Sequence, residues 1–376
     1  MNWQPAIRIA GSRLLRAGLR VTHLAALSDK VFFDAGGTYS CSPKAIFQGL
    51  GEANSVWSLH RWEDCPPGAR AVKWGSPAHY LELLTARVIV VNAALRPFLP
   101  IRAGQTVINT WHGGGAYKLT GGGRRLDADI VYARRESGRT ALTWFLTSSR
   151  AFSEAAMSDM LVPPAKLLAT GLPRNDVFFT DTAAIAAATR RKLGLGDEAI
   201  VLYAPTWRDA NSHPTLSVPQ LVEALETRFG KPFRCLYRGH PRAFTPRPAG
   251  AALDVTGYPD MQELLCAADV LVTDYSSSIW DFSLTGKPCF LYAPDLADYT
   301  LSPGFIRPID DWRFPLATSN AELVAAIQAF DAAGFATAMD AHHADLGSYE
   351  TGEATRAVCD IIARALHPDV APVAVS

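Results

Sequence analysis

Short apolar runs bounded by glycine or polar residues alternate along most of this chain with windows of helical period. Residues 31–33 (Val-Phe-Phe) end at Asp34-Ala35-Gly36-Gly37, and a helical window at 43–50 follows, the strand, turn and helix that open a βαβ unit. Runs at 88–92, 106–110 and 144–149 repeat the pattern, the last backed by a helical window at 152–160. Four such units predict an α/β domain. After Gly171-Leu172-Pro173-Arg174-Asn175-Asp176, residues 182–193 predict a connecting helix stopped by Gly194. Beyond it, strands at 199–204, 233–238, 270–274 and 288–292 interleave with helical windows at 218–229, 261–267, 279–284 and 321–332. That alternation predicts a second parallel sheet covered by helices. Residues 353–366 read as a last helix and 368–376 as a tail. The predicted division is a segment 1–30, domains 31–180 and 181–350, and a C-terminal helix and tail 351–376.

Composition narrows this picture without changing it. At 376 residues and 48% hydrophobic content, the chain has apolar surface for two domains of common size. Lysine plus arginine and aspartate plus glutamate both total 36, so no global field draws the protein to nucleic acid, and any anion must be held locally. Six cysteines without a Cys-x-x-Cys pair argue against a zinc ribbon and a disulfide framework, and predict thiols in a reducing cytosol. No window is apolar for long enough to span a bilayer, and the start of the chain does not read as a signal peptide. Residues 6–27 read instead as a basic amphipathic helix. Arg13, Arg16 and Arg20 fall on one face, where they meet either anionic lipid headgroups or solvent on a helix docked to its own domain.

Ligands of open α/β sheets lie beyond the carboxyl ends of the strands. Three segments there carry chemistry: Thr110-Trp111-His112-Gly113-Gly114-Gly115, Gly239-His240-Pro241 and Asp274-Tyr275-Ser276-Ser277-Ser278. The glycines after His112 allow close backbone approach and leave an imidazole suited to a general base. His240 either holds phosphate as an imidazolium or is satisfied by a loop carbonyl. The three serines, followed by a helical window, offer hydroxyls and N–H groups to a diphosphate, or simply cap that helix. Arg208, in Pro205-Thr206-Trp207-Arg208-Asp209, and Arg174 each provide a planar guanidinium for phosphate, or a tie between loops through Asp209 or Asp176. Neither a nucleotide-binding P-loop nor a dinucleotide fingerprint is present. The His342-His343 pair near Asp340 reads as surface rather than as a metal site, because adjacent histidines diverge on a helix.

Taken in order, Trp111-His112-Gly113, Gly171-Leu172-Pro173-Arg174-Asn175-Asp176, Leu202-Tyr203-Ala204-Pro205-Thr206-Trp207-Arg208, His240-Pro241 and Asp274-Tyr275-Ser276-Ser277 resemble the CDP-glycerol glycerophosphotransferase family. The resemblance covers roughly residues 31–330 and includes Tyr258-Pro259-Asp260-Met261-Gln262-Glu263 and Gly286-Lys287-Pro288. It implies a GT-B type fold of two facing Rossmann-like domains, with the CDP donor mainly on the C-terminal one and the acceptor toward the N-terminal one. His112 and His240 match the family's two histidines, and Ser276 and Ser277 its phosphate-binding serines. The donor side is expected to hold Arg174, Thr206, Arg208, Arg238, Glu263, Asp274 and Ser278 as well, and the acceptor side Trp111, Gly113 and Gly114. Two departures stand out: Gly114-Gly115 replaces Thr-Pro, and Pro303 replaces an arginine before Gly304.

The implied reaction is transfer of glycerol phosphate or a related phospho-polyol from CDP-glycerol to a hydroxyl of a lipid-linked or saccharide acceptor, with release of CMP. Teichoic-acid-like or capsular polymers are the expected products, and no cofactor or metal is expected. The expected location is the inner face of a bacterial membrane. A sugar-nucleotide glycosyltransferase or phosphosugar transferase on the same fold is the alternative enzyme, and a non-catalytic, membrane-docked assembly module is the alternative of another class.

Overall fold

The computed structural model describes residues 4–119, 128–206, 216–239, 247–250, 253–301 and 304–367. Their contacts divide them into two compact units. The first comprises 4–112, 128–176 and 349–367, and the second comprises 113–119 and the described residues of 177–348.

The first unit is built on a seven-stranded, all-parallel sheet. Its strands are β1 (Ser28–Asp34), β2 (Ser55–Leu59), β3 (Ala69–Lys73), β4 (Ala86–Val91), β5 (Thr106–Asn109), β6 (Trp144–Thr147) and β7 (Leu167–Ala169), in the order β3-β2-β1-β4-β5-β6-β7. The continuous apolar run of β1 follows from burial on both faces. Val31 and Phe33 point to one side, into a cluster with Ile46, Phe47, Val358 and Ile362. Phe32 points to the other, toward Leu83, Leu84 and Ile89. Strands β2, β3 and β7 escaped the sequence pattern because they are short and interrupted by polar residues, as in Ala-Arg-Ala-Val-Lys of β3.

The second unit holds a six-stranded parallel sheet: β8 (Ala199–Tyr203), β9 (Phe233–Tyr237), β10 (Leu253–Asp254), β11 (Val270–Thr273), β12 (Cys289–Tyr292) and β13 (Leu316–Ala317), ordered β10-β9-β8-β11-β12-β13. The four expected strands are its centre, and two-residue strands close its edges. The helices Val218–Phe229 and Met261–Ala267 occupy their predicted windows. The window at 321–332 is instead the helix Asn320–Gln328, and a separate helix, Ala332–Leu346, starts where Asp331 accepts from the backbone N–H groups of Ala333 (3.1 Å) and Gly334 (2.9 Å).

The last helix, Ala354–Leu366, belongs to the first unit, where Val358 and Ile362 are fully buried. Its docking explains the Gly171–Asp176 motif. Asp176 accepts from the N–H groups of Ala354 (3.2 Å) and Thr355 (2.6 Å), capping the helix. Glu350 accepts from Leu172 N (3.0 Å) and Asn175 Nδ2 (2.9 Å). Gly171 has φ +80°, and a Cβ there would lie 2.7 Å from Glu350 Oε2.

Residues 113–119 are threaded into the second unit. Leu119 N donates to Gly304 O (3.2 Å), Ile306 N to Tyr117 O (2.9 Å), and Tyr117 is 3% exposed beside Trp312 and His342. Gly114 and Gly115 are required by that path. A Cβ on Gly114 would lie 2.4 Å from Trp280 Cδ1, and one on Gly115, at φ +84°, 2.2 Å from Tyr117 Cε2. Gly115→Ala should lower stability by about 2–4 kcal/mol, the sum of overpacking and left-handed strain. A fall in the thermal midpoint checks this, and an unchanged midpoint would contradict it.

His342 is buried and His343 half-buried, which corrects the reading of the pair as surface. His342 is 2% exposed, and its Nε2 lies 2.7 Å from Tyr117 Oη, while His343 Nε2 lies 2.7 Å from Ser283 Oγ. Burial, reinforced by His343 and nearby arginines, lowers the His342 pKa to about 3. Because the folded pKa is below the unfolded value, the unfolded chain binds the extra proton between these pH values. Stability is therefore complete above about pH 6.5 and is lost by a few kcal/mol as pH falls toward 3. Urea unfolding across this window should show that slope in the wild type and a flatter one in His342→Gln.

Candidate active site

At the carboxyl edge of the first sheet, β4 and β5 hold His112 in a defined state. Thr110 N donates to Val91 O (2.8 Å), Asn109 Nδ2 to Ala93 O (3.2 Å) and Trp111 N to Asn109 Oδ1 (2.8 Å). The chain turns at Trp111, whose φ of +53° is uncommon for a non-glycine residue. The Trp111 ring stacks on His112 (4.5 Å, 27°) and leans on Phe145. His112 Nδ1 lies 2.8 Å from Asn92 O. A carbonyl only accepts, so Nδ1 is the donor, and in the neutral imidazole the basic lone pair is on Nε2. His112 is exposed, and its ring is oriented for proton transfer at Nε2. Asn92, which sets the tautomer, carried no signal in the sequence because it acts through its backbone.

Arg174 lies in the same unit, 5% exposed at the start of the helix Cys41–Leu50. Its N–H donates to Ser42 Oγ (3.4 Å) and its guanidinium to Cys41 Sγ (3.6 Å). In the same turn the Asp176 carboxylate caps the last helix.

In the second sheet the strand order reverses between β8 and β11, and Asp274 closes that point. The carboxylate is 1% exposed and accepts from Thr206 N (2.8 and 3.1 Å) and Tyr275 N (2.5 Å). Thr273 Oγ1 donates to Ala204 O (2.6 Å), so the two strand ends are joined twice. Asp274 thus shapes the loops after β8 and β11. Ser276 Oγ accepts from Ser278 N (3.3 Å) and Ser278 Oγ (3.0 Å), which tightens the turn into the helix Ser278–Ser283. Ser277 stands at the N-cap without a side-chain capping bond, and Ser276 and Ser277 are half-buried at the edge.

Arg238, after β9, donates to Tyr258 O (2.8 Å), and burial lowers its pKa although Asp260 opposes this. Glu263 accepts from Lys192 Nζ (3.0 Å) and from Tyr258 Oη, so this carboxylate organises the loop before its helix. Gly113 and Gly114, expected on the acceptor side, sit with the second unit, where Gly114 packs on Trp280. His240, Arg208 and Pro303 lie outside the described residues. Among the described residues, no three histidine, cysteine, aspartate or glutamate side chains converge as metal ligands.

A profile of the family described as CDP-glycerol:poly(glycerophosphate) glycerophosphotransferase matches residues 19–364. The chain belongs to this family. Its relatives include the teichoic acid glycerol-phosphate transferase of Staphylococcus aureus, 26% identical over 88% of this chain and 92% of that protein. The teichoic acid poly(glycerol phosphate) polymerase of Staphylococcus epidermidis is 27% identical over 90% of this chain and 50% of its own length. That of Bacillus subtilis is 26% identical over 70% of this chain. This chain covers 38% of the Bacillus subtilis polymerase and half of the Staphylococcus epidermidis one. The solved wall teichoic acid polymerase TagF superposes with a TM-score of 0.80 at 23% identity, over 99% of this chain and 100% of that one. This family member accordingly has the GT-B type fold, two parallel-sheet α/β units.

Proposed function

We propose that this chain transfers glycerol phosphate, or a related phospho-polyol, from CDP-glycerol to an acceptor hydroxyl in teichoic-acid-like or capsular polymer synthesis. The observation that carries the reading is a family match across nearly the whole chain, joined to a histidine held as a base by Asn92 O. The acceptor oxygen attacks the phosphorus that bears the polyol, its proton passes to His112 Nε2, and the bond to CMP breaks with the electron pair leaving on CMP. Positioning and charge do most of the work in such transfers. His240, Arg208, Ser276 and Ser277 neutralise the diphosphate, Thr206 and Asp274 shape its cradle, and no metal is assigned. Nucleotide release, CMP from CDP-glycerol or CDP-ribitol and UMP or UDP from UDP-sugars, each with and without EDTA, tests this. Release from a UDP-sugar alone, or abolished by EDTA, would overturn the donor or the metal assignment.

The reading extends to a membrane surface on the cytoplasmic side. The helix Gln4–Leu19 and the turn Arg20–Leu24 expose Ile7, Leu14, Leu15, Val21 and Leu24. Of the three arginines expected on a lipid-facing side, Arg16 pairs with Glu136 at 2.6 Å and Arg13 lies over Tyr132. Apolar insertion, rather than the arginines, then supplies the larger part of binding. No helix of the described residues is long and apolar enough to cross a membrane. Affinity for anionic vesicles, read by co-sedimentation, should fall about thirtyfold or more in Leu14→Ser/Leu15→Ser, since each buried leucine contributes about 1 kcal/mol or more.

A further inference from the structure

The outer half of the first sheet ends in side chains that the transfer chemistry does not use. β1 ends at Asp34 and runs into Ala35-Gly36-Gly37, His60-Arg61-Trp62 follows β2 and Trp74 follows β3, all on the carboxyl edge where ligands of parallel sheets lie. Asp34 Oδ1 accepts from Gly36 N (2.9 Å) and Gly37 N (3.2 Å), and the carboxylate also bonds the Trp74 side chain, whose indole N–H is a donor only. His60 N donates to Gly37 O (2.8 Å), and its ring lies so close over Gly37 that a Cβ there would be 2.5 Å away. The imidazole also meets Trp74, with ring centres 5.0 Å apart. Behind this layer, buried His79 shares a 2.6 Å hydrogen bond with Ser58 Oγ and presents an edge contact to Trp74.

These bonds hold a carboxylate, an imidazole and an indole in one arrangement, in which His60 and Trp74 are exposed and Asp34 is half-buried. Trp74 is 39% exposed and Trp62 59%, the two exposed tryptophans among the described residues, and both follow strands of this edge. Exposed apolar surface beside fixed polar groups marks a binding surface. Indole faces suit the C–H face of a sugar ring, and an oriented carboxylate accepts hydroxyl protons. The same carboxylate repels phosphate. Glycerol and other linear polyols have no ring face to stack.

We propose that Asp34, His60, Trp62 and Trp74 form a saccharide subsite that holds a neutral sugar ring of the acceptor. The inference rests on the transferase reading for the word acceptor, and its test separates the two. The full chain, with nitrogen-15 in its tryptophan indoles, is titrated with N-acetylglucosamine, its β1,4-linked disaccharide, glucose, glycerol and inorganic phosphate. The Trp62 and Trp74 resonances are assigned with Trp62→Phe and Trp74→Phe. At least one sugar should shift both indoles, and glycerol and phosphate neither. Asp34→Asn and the exposed Trp62→Ala should each weaken sugar binding about tenfold with CDP-glycerol affinity unchanged. Neither indole shifting with any sugar, equal shifts with glycerol, or full sugar affinity in both variants would overturn the subsite. Failure of the wild type to bind CDP-glycerol would instead overturn the transferase reading and leave the sugar result standing.

Discussion

His112→Ala should lower turnover about 10²–10⁴-fold, the usual worth of a positioned general base, while CDP-glycerol still binds. The imidazole is the proton acceptor in the proposed step, and Asn92 O and the Trp111 stack, both in the first unit, orient its ring. The proposed donor cradle after β8 and β11 is in the other unit, so it should survive the substitution. Single-turnover CMP release and calorimetry with CDP-glycerol read the two halves separately. Near-wild-type turnover would remove His112 as the base, and parallel loss of donor affinity would make it a binding residue.

Asp274→Ala should cost about 3 kcal/mol or more of stability and abolish donor binding. Two backbone N–H groups, those of Thr206 and Tyr275, lose a charged acceptor at a position 1% exposed, and each buried unsatisfied donor costs about 1–3 kcal/mol. Asp274→Asn keeps an oxygen in place, so it should recover most of the stability and part of the affinity. Urea unfolding and donor calorimetry of both variants check this. Equal stability of Asp274→Ala and wild type would show that the strand ends are held together without the carboxylate.

The strands at the centre of both sheets were legible because they are buried on both faces. Val31-Phe32-Phe33 or Val270-Leu271-Val272 must be apolar at every position, and a continuous apolar run needs no partner to be recognised. The edge strands β3, β10 and β13 carry half that constraint. The helix Ala332–Leu346 was missed because it is alanine-rich with little amphipathic contrast, although Asp331 marked its start. Chemistry was legible where glycine and proline fix the backbone next to a reactive side chain, as at His112-Gly113, and the family followed from the order of such motifs.

Placement was another matter. Gly114 and Gly115 read as freedom next to a base, whereas Trp280 and Tyr117 make them a steric necessity. The turn around Arg174 also docks the last helix, more than 170 residues onward, through Glu350 and Asp176. The sequence by itself determined two parallel-sheet α/β units, their central strands and the family, since local burial pattern and motif order are written in neighbouring residues. Only the tertiary structure decided that Asn92 sets the His112 tautomer, that Asp274 joins two strand ends, that His342 is buried and that Asp34, His60 and Trp74 meet at one edge. Each of those depends on backbone groups or side chains brought together from distant strands, and no local pattern encodes which distant partner a polar atom will find.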